Sequence, residues 1–160
     1  SKNLELIIDI QGDEPLVRPD SIDKVIRFHK KHKNFDIVVP CIELKSNINS
    51  RNIVKVIFSK NGKVIYFSRS VSPFDYNEKG IKYYKVLSVV SFKPSALKEY
   101  NKLCMSKIEK IEGIELLRAI ENGLKIGTFI INTDSFSVDV NEDLQKAIDL
   151  MPRDKYRKFY

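Results

Sequence analysis

Two aspartates near opposite ends of the chain have the type and setting for chemistry. Asp13 lies in Gln11-Gly12-Asp13-Glu14-Pro15, directly after the apolar run Leu4-Glu5-Leu6-Ile7-Ile8-Asp9-Ile10. A buried strand that ends in a carboxylate on a tight turn puts negative charge at the carboxyl edge of a sheet, where open α/β sheets bind ligands. Asp139 lies in Ser137-Val138-Asp139-Val140-Asn141-Glu142-Asp143-Leu144, just before a predicted helical turn. Two such carboxylates on separate loops can hold Mg²⁺ and leave room for phosphate oxygens and water. Each also has a plainer reading. Asp13 fits an ordinary polar turn, and Asp139 fits an N-cap that accepts from free helix amides.

Other candidate groups are weaker. His29 and His32 share a helical face in Arg27-Phe28-His29-Lys30-Lys31-His32-Lys33, but no acidic or cysteine partner stands near them in sequence. That basic run reads as the solvated end of a helix, where cations meet the macrodipole favourably. Cys41 and Cys104 lie far apart with no CxxC or Cys/His array, so both are expected as reduced thiols. Twenty-eight basic against 21 acidic side chains give +7, which suits an anionic substrate. Nucleic acid is the least favoured partner, because no nucleic-acid motif accompanies the charge. No apolar run approaches a membrane span and none reads as a signal peptide, so the expectation is a cytoplasmic protein without a membrane partner.

The elements that must position these residues follow from periodicity. At 160 residues the chain reads as one mixed α/β domain over 1–160. Residues 4–10 form a buried strand, and Pro19-Asp20-Ser21 opens a helix to about Lys31, with Ile22, Val25, Ile26 and His29 at helical spacing. Residues 35–42 give a second apolar strand, so strand, helix and strand suggest a βαβ unit and a mostly parallel core. Asn61-Gly62 between two β-rich runs predicts a hairpin. Beyond it the pattern predicts one strand over 83–92, helices over 94–102 and 108–122, a strand over 125–131 and a helix over 143–151. Lys55, on an alternating strand, reads as solvent-facing as readily as inward, and is left outside the site.

Five segments together resemble the sugar-acid cytidylyltransferases, above all the CMP-KDO synthetases, which act on 3-deoxy-manno-octulosonate. They are Gln11-Gly12-Asp13-Glu14-Pro15, Asn52-Ile53-Val54-Lys55-Val56, Tyr66-Phe67-Ser68-Arg69, Ile111-Glu112 through Leu117-Arg118, and Val138-Asp139 with Glu142-Asp143-Leu144. The resemblance implies a Rossmann-like nucleotidyltransferase sheet with a small β-rich lobe through which two subunits pair. It also implies transfer of CMP from CTP to a sugar acid, with pyrophosphate released, in the synthesis of lipopolysaccharide. Asp13 and Asp139 match the Mg²⁺ ligands of that family. Gln11, Arg69 and Glu115 match positions that contact the sugar. An arginine suits a carboxylate, because its guanidinium can donate two parallel hydrogen bonds.

The sequence also departs from the family. No Gly/Arg/Lys-rich loop for the triphosphate precedes the first strand, and the expectation is a C-terminal part that does not turn over CTP alone. The alternative is a non-catalytic remnant that serves as an oligomerisation or partner-binding module. The family's His, Tyr and Gln contacts to the sugar correspond to Val86, Val90 and Leu116. Polar groups lost from such a site cost about 1–3 kcal/mol each where a buried partner goes unpaired. A related acid, such as an amino-substituted octulosonate or a nonulosonate, is therefore expected as acceptor.

Overall fold

The computed structural model describes residues 4–133, 136–138 and 140–157. Along the chain run β1 (Ile7–Ile10), α1 (Pro19–Lys31), β2 (Ile37–Leu44), β3 (Lys55–Phe58), β4 (Val64–Ser68), β5 (Tyr83–Val86) and β6 (Val89–Phe92). Then follow α2 (Pro94–Tyr100), α3 (Lys107–Glu112), α4 (Leu116–Glu121), β7 (Ile126–Ile130) and α5 (Asn141–Leu150), with a 3₁₀ turn at Met151–Arg153. The seven strands form one sheet in the order β1-β6-β2-β5-β3-β4, with β7 on the other side of β2.

The mixed α/β class holds, but the sheet is mostly antiparallel. Among the described residues only β2 and β7 pair in parallel; the β1–β6, β2–β6, β2–β5, β3–β4 and β3–β5 pairings are antiparallel. The reason lies in β6. β1 and β2 do point the same way across α1, as a βαβ reading requires, but β6 is inserted between them and runs against both. The hairpin β3–β4 turns at Gly62 (φ 79°) and is continuous with the main sheet through β5.

Two predicted elements are broken. The strand expected over 83–92 is two strands laid end to end along β2, with Val86 opposite Cys41 and Ser91 opposite Val38. Pro40 stands between those registers and has no N–H to give the ladder. Its carbonyl accepts from Leu87 at 3.0 Å, and the chain then leaves β2 at Ser88. The helix expected over 108–122 breaks at Gly113, whose φ of 62° is left-handed. α3 begins with a capping box in which the Ser106 hydroxyl accepts from the Glu109 amide and the Glu109 carboxylate accepts from the Ser106 amide.

β2 is covered on both faces, which explains its unbroken apolar run. On one face Val38 packs with Val25, Phe35 and Val89 beneath α1. On the other, Ile37, Val39 and Cys41 join Val56, Phe67, Val90, Phe92, Ile114, Leu117 and Ile126. α1 turns Ser21, Val25 and His29 inward at helical spacing. Close approach matters at Gly127, where a Cβ would fall 2.3 Å from the Phe35 ring.

Candidate active site

The strand ends converge where β5 hands over to β6. Ile10, at the end of β1, lies opposite Val89 at the start of β6. Ser68, at the end of β4, lies opposite Lys55, and Lys55 lies opposite Lys85 near the end of β5. The turn after β1 and the turn after β4 therefore flank the same junction, Leu87-Ser88. These turns carry Gln11, Asp13 and Arg69.

The first turn is tied to the junction and to the segment before Asp139. The Gln11 amide donates to the Ser88 carbonyl at 3.3 Å, and the Ser88 amide donates to Glu14 Oε1 at 3.0 Å. Glu14 is 3% exposed, while its neighbour Asp13 is exposed. The Ser137 hydroxyl also reaches Glu14 Oε1, at 3.4 Å, and the Val138 amide donates to the Asp13 carbonyl at 2.8 Å. Asp139 is next in the chain and lies outside the described residues. The Asp13 carboxylate thus stands on a turn that is stitched to the residue preceding Asp139. Sequence reasoning treated Glu14 only as part of the motif; its burial carries no signal in a polar turn.

The second group surrounds Arg69. Its Nε donates to the Glu112 carbonyl at 2.7 Å, Nη1 to the Arg51 carbonyl at 2.9 Å, and Nη2 to the Gly113 carbonyl at 3.0 Å. Nη1 also reaches the Asn52 carbonyl at 3.5 Å, so four of the five guanidinium N–H groups are turned to main chain. A two-bond grip on a carboxylate would have to share one of these carbonyls. The Glu112 carboxylate accepts from the Arg69 amide at 2.9 Å, the Ser68 hydroxyl at 3.2 Å and the Tyr66 hydroxyl at 3.4 Å. This knot fixes the α3–α4 corner, on which Glu115 stands exposed with its carbonyl bonded to the Tyr100 hydroxyl at 3.0 Å.

Lys55 is fully buried, and the solvent-facing reading fails. Its ammonium donates to the carbonyls of Ser50 at 2.6 Å and Arg69 at 2.8 Å, holding two loops against β3. Burial, reinforced by the Arg69 charge and opposed by Glu112, lowers its pKa. Val86, Val90 and Leu116 belong to one apolar cluster, with Val90 6% exposed. The three positions that the resemblance matches to polar sugar contacts are therefore packed with apolar side chains.

The carboxylate oxygens on the first turn are hard donors that suit Mg²⁺. Among the described residues no group of three or more His, Cys, Asp or Glu could hold a metal. An open site of one or two carboxylates is the form in which Mg²⁺ meets nucleotide phosphates, so the donor set fits that ion. Also among the described residues, no helix is long and apolar enough to cross a membrane.

Comparison with known proteins gives the family. The cytidylyltransferase family profile matches residues 1–126, and the chain belongs to that family. Its similarity is more particular than that. It is 41% identical over 150 residues to a 3-deoxy-manno-octulosonate cytidylyltransferase of Thermodesulfovibrio yellowstonii, covering 89% of this chain and 58% of the relative. It is 37% identical over 156 residues to the Rickettsia bellii protein of the same name, covering 97% of this chain and 62% of that one. A solved structure of CMP:2-keto-3-deoxy-manno-octonic acid synthetase complexed with CTP superposes with a TM-score of 0.87 at 26% identity, covering 94% of this chain and 63% of that chain. The chain therefore spans about three fifths of the length of these relatives.

Proposed function

We propose that this chain forms the metal and sugar-acid part of a CTP-dependent cytidylyltransferase. In that reaction the anomeric hydroxyl of a 2-keto-3-deoxy sugar acid attacks the α-phosphate of CTP. The bond from the α-phosphorus to the bridging oxygen breaks, pyrophosphate leaves with the electron pair, and the proton of the attacking hydroxyl is released to solvent. Mg²⁺ bound here would neutralise the phosphate oxygens as charge builds on them. Asp13 and Asp139 would hold that ion. Gln11 would orient the sugar from the β1 turn, and Glu115 would accept from its hydroxyls. Arg69 would present its positive charge to the sugar carboxylate while its bonds keep the α3–α4 corner in place.

The observation that carries the reading is the 2.8 Å bond from the Val138 amide to the Asp13 carbonyl, which brings the segment before Asp139 to the Asp13 turn. Two further parts of the reading concern assembly and setting. A homodimer is favoured by the exposed Phe74 and Tyr76, 82% and 85% accessible, in the loop after β4. A cytoplasmic enzyme that supplies lipopolysaccharide synthesis is the reading that the resemblance to the CMP-KDO synthetases favours.

The test joins this chain to the part of the Thermodesulfovibrio yellowstonii relative that it does not match. CMP-sugar formation from CTP, Mg²⁺ and a panel of sugar acids is then measured for the chimera and for the chain alone. Product from the chimera supports the enzyme. A folded chimera that binds CTP and makes no product from any acid favours the alternative, a non-catalytic module, which the apolar Val86, Val90 and Leu116 would also suit.

A further inference from the structure

We propose that Glu14 is a positioning residue for the metal end of this site, fixing how the Asp13 turn stands against the segment that leads to Asp139. The inference rests on the metal reading above. Three stretches of chain meet at this one side chain. Glu14 belongs to the turn after β1, its Oε1 accepts the Ser88 amide from the β5–β6 junction at 3.0 Å, and the same oxygen accepts the Ser137 hydroxyl at 3.4 Å. Beside it, the Asp13 carbonyl accepts the Val138 amide at 2.8 Å, and the Gln11 amide donates to the Ser88 carbonyl at 3.3 Å.

A carboxylate only 3% exposed is costly unless donors satisfy it. Here the donors come from two other segments, so the condition for burying Glu14 is that all three stay together. Adjacent residues then divide the work. Asp13 faces outward, available to a cation, while Glu14 faces inward and sets the distance between the loops. Deleting the inner carboxylate would take the acceptor from the Ser88 amide and the Ser137 hydroxyl and so loosen the register of the two loops. Groups that orient metal ligands govern affinity without touching the ion, and one bonded directly to a ligand costs about 10–100-fold when lost. Glu14 acts on the loops that carry the ligands, so the lower end of that range sets the scale.

Mn²⁺ serves as the probe, since it takes the same oxygen donors and broadens nearby amide resonances. The ¹⁵N-labelled chain is titrated with Mn²⁺ alone, as the unsubstituted protein and as Glu14→Ala, Glu14→Gln and Asp13→Asn, with thermal unfolding recorded for each. In the unsubstituted chain the amides of Gly12 and Asp13 should broaden together with those of Val138 and Val140, at one midpoint. Glu14→Ala should raise that midpoint by about tenfold or more and separate the two sets. Glu14→Gln, which keeps an acceptor at Oε1, should stay near the unsubstituted value.

A folded Glu14→Ala chain whose two sets broaden in step at the original midpoint overturns the positioning role, provided Asp13→Asn has lost binding. If Asp13→Asn broadens as the unsubstituted chain does, the metal reading itself fails, and the positioning role with it. Should Glu14→Ala not fold, Ser137→Ala decides, because it removes one tie and leaves the buried carboxylate in place. A raised midpoint at Val138 and Val140 in that variant supports the proposal, and an unchanged one overturns it.

Discussion

The main-chain amide of Val138 donates to the carbonyl oxygen of Asp13 at 2.8 Å, joining the turn after the first strand to a segment near the other end of the chain. Neither side chain takes part in this bond. In the site proposed above, this bond would fix how the Asp13 turn and the segment leading to Asp139 meet, the preorganisation that an electrostatic site requires. The remaining elements serve the same end. β6 and Pro40 create the junction at Ser88, and the Arg69–Glu112 knot anchors the corner that bears Glu115.

Removing the Glu112 carboxylate should loosen that corner. Glu112→Ala leaves the Arg69 amide and the Ser68 and Tyr66 hydroxyls without their acceptor. Each donor that stays buried and unpaired costs about 1–3 kcal/mol, so the urea midpoint should fall clearly. Glu112→Gln, which keeps one acceptor oxygen, should fall less. Equal midpoints for the two variants would mean that the carboxylate bonds carry little of the fold.

The contact between Gly127 and Phe35 makes a packing prediction. A Cβ at residue 127 would meet the Phe35 ring at 2.3 Å, so Gly127→Ala should destabilise by about 1–3 kcal/mol through overpacking. Phe35→Leu alone should also destabilise, by opening a cavity. Combined, the two changes should cost less than their sum, which a double-mutant cycle in thermal unfolding reads directly.

His29 gives the stability a pH dependence. It is 1% exposed, with Nε2 donating to the Phe35 carbonyl at 3.2 Å and Nδ1 accepting from the Ser91 hydroxyl at 2.7 Å. Burial lowers its pKa, with Lys93 adding to the effect and Asp36 opposing it. The unfolded chain therefore binds the proton more readily than the folded one. The contribution is complete above the unfolded value near about 6.5 and declines as pH falls below it. The melting temperature should drop between about pH 7 and 5, and His29→Gln should flatten that part of the profile.

Sugar selectivity should respond at Leu116. This residue opens α4 beside Glu115 and is half-buried against the core. In the chimera, Leu116→Gln introduces the amide that the resemblance to the CMP-KDO synthetases implies at this position. It should raise kcat/KM for 3-deoxy-manno-octulosonate relative to other sugar acids by about tenfold, the equivalent of one regained polar contact. An unchanged ratio would place Leu116 outside the sugar site.

The first half of the fold was legible because local signals agreed with the tertiary structure. The Pro19 helix start and the Asn61-Gly62 turn stand where periodicity and turn chemistry put them. The buried strand expected over 4–10 is instead the shorter edge strand Ile7–Ile10, with Ile10 exposed, because a run of apolar residues does not say whether a neighbour covers it. The sheet's direction was not legible, because β6 reaches its place between β1 and β2 from a distant part of the chain. Gly113 sits inside a run whose spacing is otherwise helical, so only its left-handed backbone reveals the break. The candidate site shows the same limit. Asp13, Gln11, Arg69 and Glu115 could be named from motif and resemblance, and so could Asp139, which lies outside the described residues. The parts played by Glu14, Ser88, Glu112 and Lys55 depend on which carbonyls and amides long-range folding brings to them, and composition holds no trace of that.

Pyrophosphate release from CTP, Mg²⁺ and 3-deoxy-manno-octulosonate, compared between the chimera and its Asp13→Asn form, bears on the whole reading at once. With circular dichroism and CTP binding unchanged, the loss of one metal ligand should lower turnover by more than about a hundredfold. An Asp13→Asn chimera that releases pyrophosphate as fast as the unsubstituted one would contradict the assignment of this turn to the chemistry.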